Sequence, residues 1–324
     1  MDLDLRSDKR GLGLLAVEKI SFVYSILTSI LILVLFSQMN HPVQMLIGRI
    51  VIAGVTFALL FINKKYPNKY IVFLRVAFQM ALLSYWYPDT FEFNRLFGNL
   101  DHVFAHWEQL LFGCQPALTF SAKYSMKWVS EAFHMGYFSY YPMIALVVIA
   151  YFFKRYEQFT EVAFILVGAF FIYYFLYIFI PVAGPQFYFP VIGFDQAEAG
   201  VFAPIGDYFN HNQVLPPGPG YDSGLFYSLV ESSQQAGERP TAAFPSSHVG
   251  ISTILMILAW RLRKRLFVVL IPFYVLLCGA TVYIQAHYVI DVFAGWISAV
   301  LIYSFVLWGY QKHFKSKENT VLKF

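Results

Sequence analysis

Charge is scarce in this chain. Of its 324 residues only 13% are Asp, Glu, Lys or Arg, while 58% are apolar and the mean hydropathy is +0.57. A soluble protein of this length needs more charge to cover its surface, so the composition points to a polytopic membrane protein. Cysteine is nearly absent. Cys114 lies in a loop and Cys278 in an apolar run, so no disulfide framework and no cysteine metal motif is expected. Internal repeats, low-complexity tracts and a separate soluble domain are also missing, and no nucleic-acid partner is expected. What the chain has in quantity is aromatic side chains, 20% of the total with 35 Phe and 23 Tyr, which suit lipid-facing and interfacial positions.

A helical span needs about 20 largely apolar residues. The stretches near 20–38, 45–63, 70–87, 129–152, 160–181, 247–261, 266–284 and 288–310 fit this, the 247–261 stretch being short. Lipid offers the backbone no hydrogen bonds, so these must be helices. The fold class is therefore an all-α polytopic membrane protein with about eight transmembrane helices in one membrane domain over 1–324. Arg6, Lys9 and Arg10 precede the run from Ile20 to Phe36, which is too long for a signal-peptide core and is expected to be retained.

The positive charge is asymmetric. Lys64, Lys65 and Lys69, Lys154 and Arg155, the Arg261–Arg265 cluster and the C-terminal Lys312, Lys315, Lys317 and Lys323 fall on one side with the basic N-terminus. Arg95, Lys123, Lys127 and Arg239 fall on the other. The positive-inside rule then places both termini in the cytoplasm. The long connections 88–128 and 182–245 become extracytoplasmic. The first contains an amphipathic segment, Leu100 to Phe112, expected to lie on the outer interface. In the second, Ser223 is the expected cap of a short helix from Gly224 to Gln235 that stops at Gly237. Loops this long commonly cover or form a binding site. Short cytoplasmic loops point to a bacterial inner membrane, with the site on the periplasmic face.

Two stretches carry chemistry. His287 and Asp291 are spaced to share one helical face, one turn apart. A carboxylate there can accept the Nδ1 proton, leaving Nε2 as a nucleophile and stabilising a cationic ring. The alternative is a His–Asp pair that only ties two helices together. In Phe244-Pro245-Ser246-Ser247-His248, either serine suits the N-cap of the next helix. A helix N-terminus also suits a phosphate, although capping alone explains the serines equally well. The topology brings both stretches to the same face. One histidine can then attack phosphorus while the other protonates the leaving alkoxide; an imidazole pKa near about 6.5 suits both tasks.

Pro245-Ser246-Ser247-His248 followed by His287-x-x-x-Asp291 resembles the second and third motifs of the type-2 phosphatidic acid phosphatase superfamily. The resemblance covers roughly 160–310, with Tyr137-Phe138-Ser139-Tyr140-Tyr141 ahead of it. It implies a six-helix lipid phosphatase-like core within 129–310, with the helices of 1–88 added. It also implies a phosphohistidine at His287, oriented by Asp291, with His248 as acid and then base. No metal or other cofactor is implied.

The sequence departs from the hydrolases of that superfamily. Their third-motif histidine follows a Ser-Arg pair, where this chain has Ala280 and Thr281. Their first motif ends in Arg-Pro; Arg239-Pro240 copies that end, but just before Pro245 and with Ser232 at the lysine position. The phosphate ligands expected here are Arg239, Ser246 and Ser247, Gln186 and, from the outer loop, Lys123 or Lys127. Arg239 is read equally as a solvated loop cation. His287-Tyr288-Val289-Ile290-Asp291 without the arginine is similar to the sphingolipid headgroup transferases, closest to inositol phosphorylceramide synthases. That likeness implies transfer of a phospho-headgroup, phosphoinositol in particular, from a glycerophospholipid to a ceramide-type alcohol. The alternatives are a lipid phosphate phosphatase, with water as acceptor, and a non-catalytic lipid-binding protein on the same fold.

Overall fold

A computed structural model describes residues 13–316. Arg6, Lys9, Arg10, Lys317 and Lys323 lie outside the described residues. Every regular element among those described is a helix. The order is α1 (Ala16–Val34), α2 (Pro42–Lys65), α3 (Lys69–Ala81), α4 (Leu83–Asn94), α5 (Asp101–Phe112), α6 (Pro116–Lys123), α7 (Lys127–Phe138) and α8 (Tyr140–Lys154). Next come α9 (Phe159–Phe179), α10 (Pro185–Ile192), α11 (Phe194–Glu198), α12 (Tyr208–His211), α13 (Leu225–Gly237), α14 (Ser247–Leu262), α15 (Lys264–Tyr283) and α16 (Val289–His313).

Length and apolar composition qualify six segments among the described residues as membrane spans: α1, α2, α3 with α4, the stretch Tyr156–Phe179, α15 and α16. A seventh arises if α7 and α8, bent by 42°, count as one. The expected span at 247–261 is α14, whose 16 residues are apolar but short of a full crossing. The fold is thus all-α and multi-pass, with six or seven long apolar helices.

The chain divides into two compact units. The first contains residues up to Tyr85, Val148–Phe171 and the chain from Tyr303. Its intramembrane arginines are hydrogen-bonded, as lipid requires. Arg75 Nε and Nη2 bind Glu18 at 2.8 and 2.6 Å, with both side chains buried. Arg49 donates to the Met45 carbonyl and to Thr28 Oγ1. Outward on α1 stand Val23, Ile26, Ile30 and Leu33, an apolar face for lipid.

The second unit, Trp86–Val147 and Ile172–Ile302, holds the chemistry-bearing stretches. Gly136 lets α7 pack directly on α15: a Cβ there would stand 2.7 Å from the Leu276 carbonyl carbon. The amphipathic segment of the first long loop is α5, ended by left-handed Gly113. Its polarity is inverted. Asp101, Phe104, Ala105 and Glu108 face inward, whereas Trp107, Leu110 and Leu111 are exposed. The helix in the second loop is α13, and its cap differs from expectation. Ser223 gives its hydroxyl to Asp222 instead. The carboxylate of Glu131 on α7 accepts from Phe226 N and Tyr227 N at 3.0 and 3.1 Å. A full negative charge at a helix N-terminus satisfies free N–H groups and opposes the positive dipole end. Both cysteines are free.

Candidate active site

Segments near 182–186, 241–246 and 284–291, largely outside the long helices' interiors, are laced together by main-chain hydrogen bonds. Ala243 N donates to Val182 O at 2.9 Å, Gln186 N to Gln285 O at 2.7 Å, and Ser246 N to Asp291 O at 3.1 Å. Gly184 is required at the crossing. It has φ +96°, and a Cβ would approach Ala286 O to 2.5 Å. Ala242 and Gln285 also hold positive φ, 73° and 63°. Each costs about 1–2 kcal/mol for an L residue, so the surrounding lacing must impose them.

Asp101 anchors this crossing. Its buried carboxylate accepts from Ala183 N at 2.7 Å, Gly184 N at 2.8 Å, Asn99 Nδ2 at 2.6 Å and Tyr288 Oη at 3.0 Å. Burial pushes its pKa up, and those donors pull it back. One side chain therefore fixes both the 183–184 turn and the residue that follows His287.

His287 stands in the connection before α16, so it does not share a helix turn with Asp291 as the spacing suggested. Its Nδ1–H donates to the Ala243 carbonyl at 2.8 Å. Asp291 Oδ2 is 3.5 Å from the same nitrogen, beyond ordinary hydrogen-bond length. That oxygen accepts from Tyr288 N at 2.9 Å, half of a capping box for α16. The closest orienter of the ring is thus a main-chain carbonyl, with the Asp291 carboxyl behind it. Either way Nδ1 is occupied and Nε2 is left for chemistry. Burial lowers the His287 pKa to about 4, against raising influences from the Ala243 carbonyl and Glu238. The ring is neutral at pH 7, as a nucleophile requires.

His248 opens α14. Ser246 is the N-cap, its hydroxyl accepting from Val249 N at 3.3 Å. Ser247 N donates to Tyr177 Oη, which in turn donates to Pro245 O. The His248 ring is packed against Tyr137 and Tyr140, with centroids at 4.6 and 4.5 Å, and stands 5.8 Å from the His287 ring. Both histidines line a cavity of about 30 Å³ with Ser247, Gln186, Gln234, Tyr87, Tyr137 and Glu238.

Of the expected phosphate ligands, Ser247 and Gln186 reach this cavity. Ser246 is occupied with capping. Arg239 does not line the cavity, and its Nη1 donates to the Glu238 carbonyl at 2.8 Å. Lys123 is exposed, with Nζ 5.6 Å from the Tyr124 ring, and Lys127 lies over Tyr221. No Lys or Arg lines the cavity among the described residues.

Sequence reasoning missed Asp101, Glu108 and Glu238. The signal for the first pair was available. Two carboxylates seven apart share a helical stripe with Phe104 and Ala105, and a charge on the apolar stripe of a membrane protein seeks a buried partner. Glu108 Oε2 accepts from Ile290 N at 3.2 Å, in the first turn of α16. Burial raises its pKa to about 8; the Ile290 N–H opposes the rise, and the Asp291 charge adds to it.

A raised carboxyl pKa has a definite sign. The folded state keeps a proton that the unfolded state releases above its ordinary pKa. Stability is therefore full below about 4.5 and falls as pH rises toward about 8. Melting in detergent across that window is expected to show a falling Tm, flattened by Glu108→Gln. A Tm slope that Glu108→Gln leaves unchanged would assign the effect elsewhere.

A family model for the PAP2 superfamily matches residues 102–305. The chain belongs to the PAP2 superfamily. Its activity is accordingly of the membrane lipid phosphatase and phosphotransferase kind. The PAP2 match begins inside α5, well ahead of the 160–310 region that carries the motif likeness, so the helix bearing Glu108 belongs to the family region. Comparison with curated proteins and with solved structures gives no match.

Proposed function

We propose that the chain cleaves a membrane lipid phosphoester through a phosphohistidine at His287, in the manner of a lipid phosphate phosphatase. The observation that carries this reading is the His287 ring itself, with Nδ1 tied to Ala243 O and Nε2 left free beside His248. Nε2 attacks phosphorus and forms the N–P bond. The P–O bond to the lipid alcohol breaks, and His248 gives that oxygen its proton. In the second half His248 takes a proton from the acceptor hydroxyl, whose oxygen displaces His287. Asp291 stabilises the cationic imidazole. Ser247 and Gln186, which line the cavity, hold the phosphoryl oxygens. Arg239 and Lys123 remain candidates for a longer-range role in attracting the anion. The active site faces the extracytoplasmic side, with the termini cytoplasmic, on the charge asymmetry of the loops.

A second reading is transfer to a lipid alcohol such as ceramide, as in the inositol phosphorylceramide synthase-like branch. It requires a phosphohistidine shielded from water until an alcohol arrives. Ala280 and Thr281, in place of the hydrolases' Ser-Arg, favour it. The two readings separate with a headgroup-labelled glycerophospholipid supplied with and without ceramide. Label released into water supports hydrolysis. Label recovered in a phosphosphingolipid supports transfer, and neither product would reject both.

A further inference from the structure

Glu238 has no part in the chemistry above, yet its side chain lines the same cavity as His248 and His287. The carboxylate follows the C-terminal end of α13 and takes one hydrogen bond, from Tyr87 Oη at 2.6 Å. A phosphate site normally gathers cations. Here, among the described residues, the lining holds a carboxylate and no Lys or Arg. A phosphate monoester dianion placed beside Glu238 would meet like charge at short range and low dielectric. Inositol would remove neither charge.

A zwitterionic headgroup resolves the conflict. Its phosphate meets the histidines and the start of α14, while its ammonium meets Glu238. Tyr87 and Tyr137 line the same space, and an aromatic side chain can hold a cation against its ring. Burial pushes the Glu238 carboxyl above the usual range, the Tyr87 hydroxyl and the charges of His287 and Arg239 draw it back, and an ammonium in the cavity would favour its ionised form further. We propose that Glu238 selects a phosphodiester donor whose headgroup is an ammonium-bearing alcohol, with phosphate on the histidines and ammonium between Glu238 and the tyrosines.

This inference rests on the phosphohistidine reading and concerns only its donor. The covalent steps are unchanged: diacylglycerol leaves with the proton from His248, and the phosphorylated amino alcohol stays on His287. The test uses the full chain in mixed micelles with phosphatidylethanolamine, phosphatidylcholine, phosphatidylinositol or phosphatidic acid at equal mole fraction. Diacylglycerol release is measured for each donor. The ammonium-bearing donors are expected to exceed the other two by about tenfold or more in kcat/KM, the weight of one charge-assisted contact. Glu238→Gln is expected to erase that preference to within about threefold, and Glu238→Asp, which keeps the charge, to retain most of it. A protein that prefers phosphatidic acid or phosphatidylinositol, or a preference unmoved in Glu238→Gln, overturns the donor assignment alone. No diacylglycerol from any donor overturns the phosphohistidine reading and the donor assignment with it.

Discussion

Replacement of His287 by alanine is expected to lower lipid turnover by about 10⁴-fold or more and to abolish acid-labile phosphate on the protein. The size follows from the role. Without the imidazole there is no atom to take the phosphoryl group, and no other side chain in the cavity replaces it. His248 is the nearest alternative, but its ring is clasped between Tyr137 and Tyr140. Labelled donor, rapid quench and acid treatment of the recovered protein make the measurement. Acid-labile label that persists in the alanine variant would move the nucleophile away from position 287.

His248→Gln should cost about 10²–10⁴ in turnover of a natural lipid donor, the range for a lost general acid. Glutamine keeps most of the bulk between the two tyrosines but cannot shuttle a proton. The loss should depend on the leaving group. An alkoxide from diacylglycerol leaves poorly without a proton, whereas a nitrophenolate leaves without help. A nitrophenyl phosphoester substrate should therefore recover much of the first step, visible as a burst of nitrophenol and retained label on His287. An equal loss for both leaving groups would remove His248 from the acid role.

The apolar runs announced most of the fold, because lipid leaves a backbone few options. The helices at 16–34, 42–65, 156–179, 264–283 and 289–313 follow directly from them. The span count did not, since α14 is too short by itself and α7 and α8 bend at their junction. The motif histidines were legible for a related reason: Pro245, Ser246 and Asp291 are local signals, and the Ser246 cap formed as such signals require. What stayed hidden was tertiary. Helical spacing suggested Asp291 for the His287 proton, but His287 lies before the helix, where a carbonyl from residue 243 is closer. Glu131 capping α13 and Asp101 clamping residues 183 and 184 join positions about 80 or more apart, which no local pattern connects. The placement of the basic residues was hidden for the same reason. Arg239 is near the site in sequence, but its guanidinium turns back on its own chain.

Because the nearest partner of the His287 Nδ1 proton is the carbonyl of Ala243, that contact cannot be deleted by changing any side chain at position 243. Drift at that position is limited by room, since Ala243 is buried and its Cβ would lie 3.3 Å from one added at Gly184. The tautomer of the reactive imidazole is inherited from the course of the main chain. It is therefore insulated from single substitutions there, and a design that keeps the path of residues 241–246 keeps the nucleophile aimed.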